Sequence, residues 1–294
     1  MRESLLERLA SGRTLVGDGA TGTMLQAAGL QAGAPPELWV LEQPQEITRL
    51  HRAYVEAGSD MILTCTFGST RPRLEMAKLD VRVDQINRRA AALARQVAGD
   101  DVYVVGDIGP TGQLMDPLGP LSYDAAVELF AEQARALVES GVDALQVETM
   151  SDLNEARAAV TGAQSACDLP VFCTMSFDTH GRTSMGVKPA QAAGALAELG
   201  VAALGANCGR APDELLEILP QMRAAAPETP LIAKPNAGLP RLVGEQVLYD
   251  ATPEQMAELA RRFVALGVAI VGGCCGSTPQ HIAAVAAAVR DAQP

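Results

Sequence analysis

An α/β barrel of eight repeated strand–helix units is the fold this sequence predicts, on three observations. Eight short runs rich in Val, Ile, Leu and Ala recur along the 294 residues, helical patterns lie between them, and several helices stop at a glycine just before the next run. Strands alternating with helices imply right-handed βαβ crossovers and therefore parallel pairing. A parallel sheet is covered on both faces, so its strands read as nearly continuous apolar runs, as these do. Eight units in a chain of this length suit a closed (β/α)8 barrel of the TIM type better than an open sheet.

In order, the runs are TLVGDG (14–19), DMILTCTF (60–67), VYVVGDIG (102–109), ALQVETM (144–150), VFCTMSF (171–177), AALGANC (202–208), LIAKPN (231–236) and VAIVGGCC (268–275). Between them PQEITRLHRAYVEAG, SYDAAVELFAEQARALVESG, DLNEARAAVTGAQSA, DELLEILPQMRAAA and PEQMAELARRFVALG carry helical periodicity. The terminal glycine in several of these segments is the expected helix stop. The phrases EAGSD, ESGVD and ALGVA at three helix ends suggest a repeated unit. Two stretches, 108–123 and 237–254, read as long loops after the third and seventh strands. The opening MRESLLERLASG reads as an amphipathic helix rather than a signal peptide. No Pro-, Gly- or Ser-rich linker divides the chain, so one domain spanning 1–294 is expected.

Hydrophobic residues make up 48% of the chain, enough for a large core, while aromatics reach only 3%, so Ala, Val, Leu and Gly must do the filling. A net charge of −12 without a Lys/Arg stripe argues against nucleic acid as a partner. No apolar run has membrane-spanning length. A cytoplasmic location is therefore expected, where six cysteines read as metal ligands, catalytic groups or small core residues rather than disulfides.

In a barrel of this kind the chemistry sits where strands end and βα loops begin. The polar or reactive residues there are Asp18, Thr64, Thr66, Asp107, Glu148, Thr149, Asn207, Cys208, Lys234, Asn236, Cys274 and Cys275. Cys208 ends the sixth run, and the Cys274–Cys275 pair ends the eighth. With one strand between them, roughly 10 Å of backbone separates these ends. Three thiolates on one Zn2+, at about 2.3 Å each, close that gap if the last residues bend inward, and the flanking glycines permit the bend. Three small buried hydrophobes are the alternative, but shared placement on one rim favours the metal. Three protein ligands leave a fourth position open, the pattern of a catalytic zinc. Cys65, Cys167 and Cys173 read as core or incidental.

GDGATG (17–22) matches a dinucleotide fingerprint, yet the acidic residue that should close the next strand is missing. The same turn can present backbone N–H groups to a carboxylate, with Asp18 suited to an ammonium group or to bracing the turn. Glu148 either joins Asp18 on an amino group or pairs with an arginine of the barrel. Of the three histidines, His51 and His281 lie in helical segments and His180 in a loop, with no Ser-His-Asp pattern.

DGATGTMLQ, TCTFGST, GDIGPTG, VETMSDL, MSFDTHGRT, GANCG, KPNAGLP and GGCCGSTPQHI together resemble the homocysteine-binding methyltransferases, over about residues 14–290. The resemblance implies Zn2+ held by Cys208, Cys274 and Cys275, and homocysteine as methyl acceptor with its sulfur as fourth ligand. Asp18 and Glu148 match positions that hold the amino group. Gly19, Ala20, Thr21 and Gly22, in the turn that runs to Thr23, match the segment near the carboxylate. Thr64 and Asn207 are expected to face the substrate too. Asn236 matches the residue that takes the vacant zinc position in the resting synthase-type module.

The donor is read from departures within the family. Betaine-using members carry a tyrosine after TF and a tryptophan that helps cage the quaternary ammonium. Here that position is Gly68, and the single tryptophan, Trp39, is displaced. GDIGPTG and PNAGLP look like the N-terminal module of cobalamin-dependent methionine synthase, whose folate- and cobalamin-binding neighbours do not follow here. Methyl transfer to homocysteine from a separate cobalamin or folate methyl-carrier protein is the expected function. A small-molecule donor, betaine or S-methylmethionine, is the alternative. A non-catalytic zinc or thiol binder, or a redox sensor, is the alternative of a different class.

Overall fold

A computed structural model describes residues 3–31, 33–243 and 246–293. Its elements open with α1 (Leu5–Ala10), β1 (Leu15–Val16), α2 (Gly22–Ala27), α3 (Glu37–Glu42), α4 (Pro44–Glu56), β2 (Met61–Leu63), α5 (Arg71–Glu75) and α6 (Val83–Ala98). Next come β3 (Tyr103–Ile108), α7 (Tyr123–Val138), β4 (Ala144–Met150), α8 (Leu153–Ala166), β5 (Val171–Met175), α9 (Pro189–Glu198) and β6 (Ala203–Cys208). The chain continues through α10 (Leu215–Ala225), β7 (Leu231–Pro235), β8 (Pro240–Val243), β9 (Gln246–Tyr249), α11 (Pro253–Ala265), β10 (Val268–Val271) and α12 (Pro279–Ala292).

Eight parallel strands form the expected (β/α)8 barrel, in the order β1-β10-β7-β6-β5-β4-β3-β2. The seam between β1 and β2 is closed by an aspartate. Asp60 N–H donates to Val16 O at 2.8 Å, and the Asp60 carboxylate accepts from Val16 N–H at 2.8 Å. Asp143 does the same ahead of β4: its N–H donates to Val104 O, and its carboxylate accepts from Val104 N–H, both at 2.7 Å. The recurring EAGSD and ESGVD therefore end a helix on glycine and use the next aspartate to start a strand in register. Gly58 and Gly141 in these phrases take φ of +97° and +81°, conformations that glycine adopts without strain.

Side chains alternate along each strand, giving two cores. Outward residues such as Val16, Ile62, Val104, Leu145, Cys173, Leu204 and Val271 pack against the helices. Inward residues Leu15, Met61, Leu63, Tyr103, Val105, Ala144, Phe172, Ala203, Ile232 and Ile270 fill the barrel, and Leu5 and Leu9 of α1 plug its N-terminal end. One expectation is revised: residues 237–254 are not a plain loop, because β8 and β9 pair there as an antiparallel hairpin. The eighth strand is also shorter than its sequence run and ends at Val271, where consecutive glycines release the chain.

Candidate active site

Continuing the inward alternation toward the C-terminal ends turns the apolar interior into a polar layer. After Val105 comes Asp107; after Ala144, Gln146 and Glu148; after Phe172, Thr174; after Ala203, Asn207; after Ile232, Lys234; and after Ile270, Cys274. Above this layer opens a cavity of about 560 Å3, whose wall includes Gly19–Thr23, Asp107, Glu148, Lys234 and all three expected zinc cysteines. A groove of similar volume, about 520 Å3, runs over α8 and α9 outside the barrel and carries no cysteine.

The thiols converge from β6 and the segment after β10. Cys208 Sγ lies 2.9 Å from Cys274 Sγ and 3.8 Å from Cys275 Sγ, and the three sulfurs are within 4.8 Å of one another. Sulfurs bound tetrahedrally at about 2.3 Å from one Zn2+ stand about 3.8 Å apart, which the Cys208–Cys275 pair matches and the Cys208–Cys274 pair undershoots, so a small side-chain rotation lets this donor set hold the metal. The backbone enforces the convergence. Cys274 N–H donates to Pro235 O at 2.8 Å and Ala237 N–H to Cys275 O at 2.9 Å, so residues past β10 stay tied to the end of β7. Cys208 adopts φ of +59°, a left-handed conformation that turns its side chain off the strand path. Hydrogen bonds from Cys208, then Cys274, and further from Tyr249 hold Cys275 far below the ordinary thiol range, against the opposing effect of burial. Hydrogen bonds with Cys274 and then Cys275 push Cys208 up, and Cys274 is raised too, so Cys275 is the first of the three to reach the thiolate form that zinc ligation requires.

Across the cavity lies an acidic group. Glu148 Oε2 accepts from Lys234 Nζ at 2.8 Å with both side chains buried, so its partner is a lysine from the opposite side of the barrel and not an arginine. Asp18 Oδ2 accepts from Leu63 N–H at 2.7 Å, helping to close the β1–β2 seam while the residue stays buried beside the cavity. Burial pushes the Asp18 carboxyl up to about 7, with Lys234 opposing the shift. Burial likewise raises Glu148, again opposed by Lys234. At both carboxyls burial disfavours the charged form, and Lys234 partly offsets it.

Gly19, Ala20, Thr21, Gly22 and Thr23 line the cavity as expected. The first amides of α2, in this turn, have no intrahelical partner and are free to meet an anion. Gly19 has no alternative here: a Cβ would lie 2.8 Å from the Tyr54 ring and 2.9 Å from Ser277 O. Two other expected substrate residues do different work. Thr64 is fully buried off the cavity wall, its hydroxyl accepting from Asp107 N–H at 2.9 Å. Its parity explains this, since its neighbour Leu63 faces inward. Asn207 lies beneath Thr149: its Oδ1 accepts from Thr149 N–H at 2.9 Å and its Nδ2 donates to Thr149 Oγ1 at 2.7 Å. It thereby holds Thr149 at φ of +62°, and it also donates to Cys274 Sγ at 3.7 Å. Asn236 Nδ2 donates to Gly209 O at 2.8 Å, which joins the ends of β6 and β7, while its buried Oδ1 has no partner among the described residues. That orphaned acceptor beside the cysteines is consistent with a ligand role.

Lys234, one of the expected rim residues, had no role assigned, and Tyr249 was not expected at the site. The strand-end position pointed to Lys234 but not to its partner, and a tyrosine in an expected loop gave no signal of its own. Cys65, read as core, is buried but borders the cavity. At the outer end of the cavity Gly68 N–H donates to Glu37 Oε1 at 2.5 Å, and a Cβ on Gly68 would lie 3.0 Å from that oxygen. Phe67 is the one aromatic residue in the wall among the described residues, and Trp39 packs on the core instead.

Comparison with known proteins agrees with this geometry. A family model described as homocysteine S-methyltransferase matches residues 15–289. Methionine synthases of Mycobacterium leprae (strain TN) and Mycobacterium tuberculosis (strain ATCC 25618 / H37Rv) are each 36% identical, over 97% and 96% of this chain. The chain spans 25% of the length of each. The crystal structure of the homocysteine methyltransferase MmuM from Escherichia coli, metallated form, matches with a TM-score of 0.79 at 24% identity, over 93% of this chain and 96% of that one. A methyltransferase from Methanosarcina mazei matches with a TM-score of 0.60 at 14% identity, over 98% and 99% of the two chains. These two structures share the barrel. The family model, which runs from β1 into α12, encloses all three converging cysteines and both carboxylates opposite them, and the chain belongs to the homocysteine S-methyltransferase family.

Proposed function

We propose that this chain transfers a methyl group to the thiol of homocysteine, forming methionine, with Zn2+ held by Cys208, Cys274 and Cys275. One observation carries the reading: a single cavity has three convergent thiols on one side and, on the other, buried carboxylates beside the turn that opens α2. An amino acid that ends in a thiol matches both. Its ammonium group faces Asp18 and Glu148, its carboxylate faces the Thr21–Thr23 amides, and its sulfur reaches the cysteines. When bound, zinc keeps a coordinated thiol ionised near neutral pH, so the chemistry requires no general base. The reaction forms a carbon–sulfur bond and breaks the bond between methyl group and donor, and the thiol proton leaves to solvent.

The donor we infer is methylcobalamin on a carrier protein. Its support is the likeness to methionine synthases and a cavity wall with one aromatic ring, too few to cage a trimethylammonium group. The test is a donor screen with zinc-loaded protein and homocysteine, in which methionine is measured with methylcobalamin, betaine or S-methylmethionine. Methionine formed fastest from methylcobalamin supports the reading. Turnover with only a small-molecule donor would move the assignment to that donor, and retained homocysteine without any product would make the chain a binder.

A further inference from the structure

We propose that Asp107 is a third acidic residue of the substrate subsite and contacts the ammonium group of homocysteine alongside Asp18 and Glu148. The inference rests on the homocysteine reading above and adds a contact to it. Asp107 sits on β3, next to the strand that carries Glu148, at the inward position that follows Tyr103 and Val105. It lines the cavity and is only 5% exposed, and its Oδ1 has no hydrogen-bond partner among the described residues. An unpartnered buried carboxylate oxygen is costly to keep, so its retention at a cavity wall calls for a ligand.

Its surroundings hold it in place without engaging that oxygen. Asp107 N–H donates to Thr64 Oγ1 at 2.9 Å, and Asp107 O accepts from Thr66 Oγ1 at 2.7 Å and from Gln133 Nε2 at 3.1 Å. The two threonine hydroxyls lie 2.6 Å apart. Three buried side chains from two other elements therefore fix the backbone of a residue whose carboxylate remains available.

Counting donors and acceptors points the same way. An alkylammonium group offers three N–H donors. Asp18 already engages Oδ2 with Leu63 N–H, and Glu148 engages Oε2 with Lys234 Nζ. One further oxygen from each meets two of the donors, and the unpartnered Asp107 Oδ1 is placed to accept the third. The charges agree: with Glu37 and Arg73 also in the wall, four carboxyl groups face two cations, and a further cation brings the group closer to balance. Burial and then the Glu148 carboxylate hold the Asp107 carboxyl well above its ordinary range, as befits an acid short of counter-charge.

Calorimetry with zinc-loaded protein tests this, using homocysteine and 4-sulfanylbutanoate, the same thiol acid without its amino group. Asp107→Asn should weaken homocysteine about tenfold or more while leaving 4-sulfanylbutanoate within about twofold, the loss expected for one charge-assisted hydrogen bond. Zinc content should not change. Unaltered homocysteine affinity, or equal losses for both ligands, would overturn the contact. If the variant does not fold, a homocysteine-bound structure of the unmodified protein decides: an ammonium nitrogen within about 3.2 Å of the Asp107 carboxylate supports the proposal, and one beyond hydrogen-bond reach refutes it. Failure of the proposed function is distinct, because the unmodified protein would then bind no homocysteine at all.

Discussion

Lys234 reaches across the barrel from β7 to place Nζ 2.8 Å from Glu148 Oε2 on β4, and both side chains are buried. Removing one partner of such a pair strands the other charge in a poorly solvated interior. Lys234→Met should therefore lower unfolding free energy by about 3–5 kcal/mol in denaturant titrations. Lys234→Met combined with Glu148→Gln should cost less than the sum of the single changes, since neither leaves a bare charge. Strict additivity would show that the two residues do not support each other.

A second prediction follows from Asp18, whose carboxyl is raised by burial, against Lys234, to about 7. Its proton must leave before it can accept an ammonium group, so homocysteine affinity should rise through about pH 7 and then level. The Asp18→Asn variant should lose this rise, even with weaker binding throughout. Stability moves in the opposite sense. The folded state holds this proton more tightly than the unfolded chain, so the contribution is fully present below the ordinary carboxyl value of 3.8 and is lost as pH climbs through about 7. Parallel pH profiles for both proteins would remove Asp18 from the ammonium site.

The cysteines divide by position. Cys208, Cys274 and Cys275 line the cavity, whereas Cys173 belongs to the outer core beneath the helices. Cys208→Ser, Cys274→Ser or Cys275→Ser should strip zinc and turnover while the circular-dichroism spectrum persists. Cys173→Ala should keep zinc and lose stability by cavity formation. Elemental analysis that finds full zinc in Cys208→Ser would take Cys208 out of the centre.

Free betaine should be a poor donor. A desolvated cation over aromatic faces gains about 2 kcal/mol or more, and Phe67 alone cannot enclose one. The space beside Gly68 is taken by Glu37, so a larger side chain there must displace a buried carboxylate. Rapid turnover at sub-millimolar betaine without a partner protein would contradict this.

Much of the fold was legible because parallel strands are apolar on both faces and helices stop on glycine, signals local to a few residues. The convergence of Cys208, Cys274 and Cys275 was legible for a related reason: strand ends share a rim, so residues distant in sequence meet there. Side-chain direction was harder to read. Thr64 was placed at the substrate because it lies near a strand end, yet alternation from the inward Leu63 turns it away. Asn207 points inward but is covered by Thr149, whose left-handed backbone it holds. Lys234 was legible as a rim residue but its pairing with Glu148 was not, because only the closed barrel brings its long side chain there. The β8–β9 hairpin, with Tyr249 hydrogen-bonded to Cys275, lay in a stretch read as loop.

The central claim is that three cysteines of this chain hold zinc with one position open to the homocysteine sulfur. X-ray absorption at the zinc edge, on zinc-loaded protein with and without homocysteine, tests it most directly. Three sulfur neighbours at about 2.3 Å plus one lighter ligand are predicted without homocysteine, and four sulfurs with it. Two or fewer sulfurs, or a spectrum indifferent to homocysteine, would contradict the account.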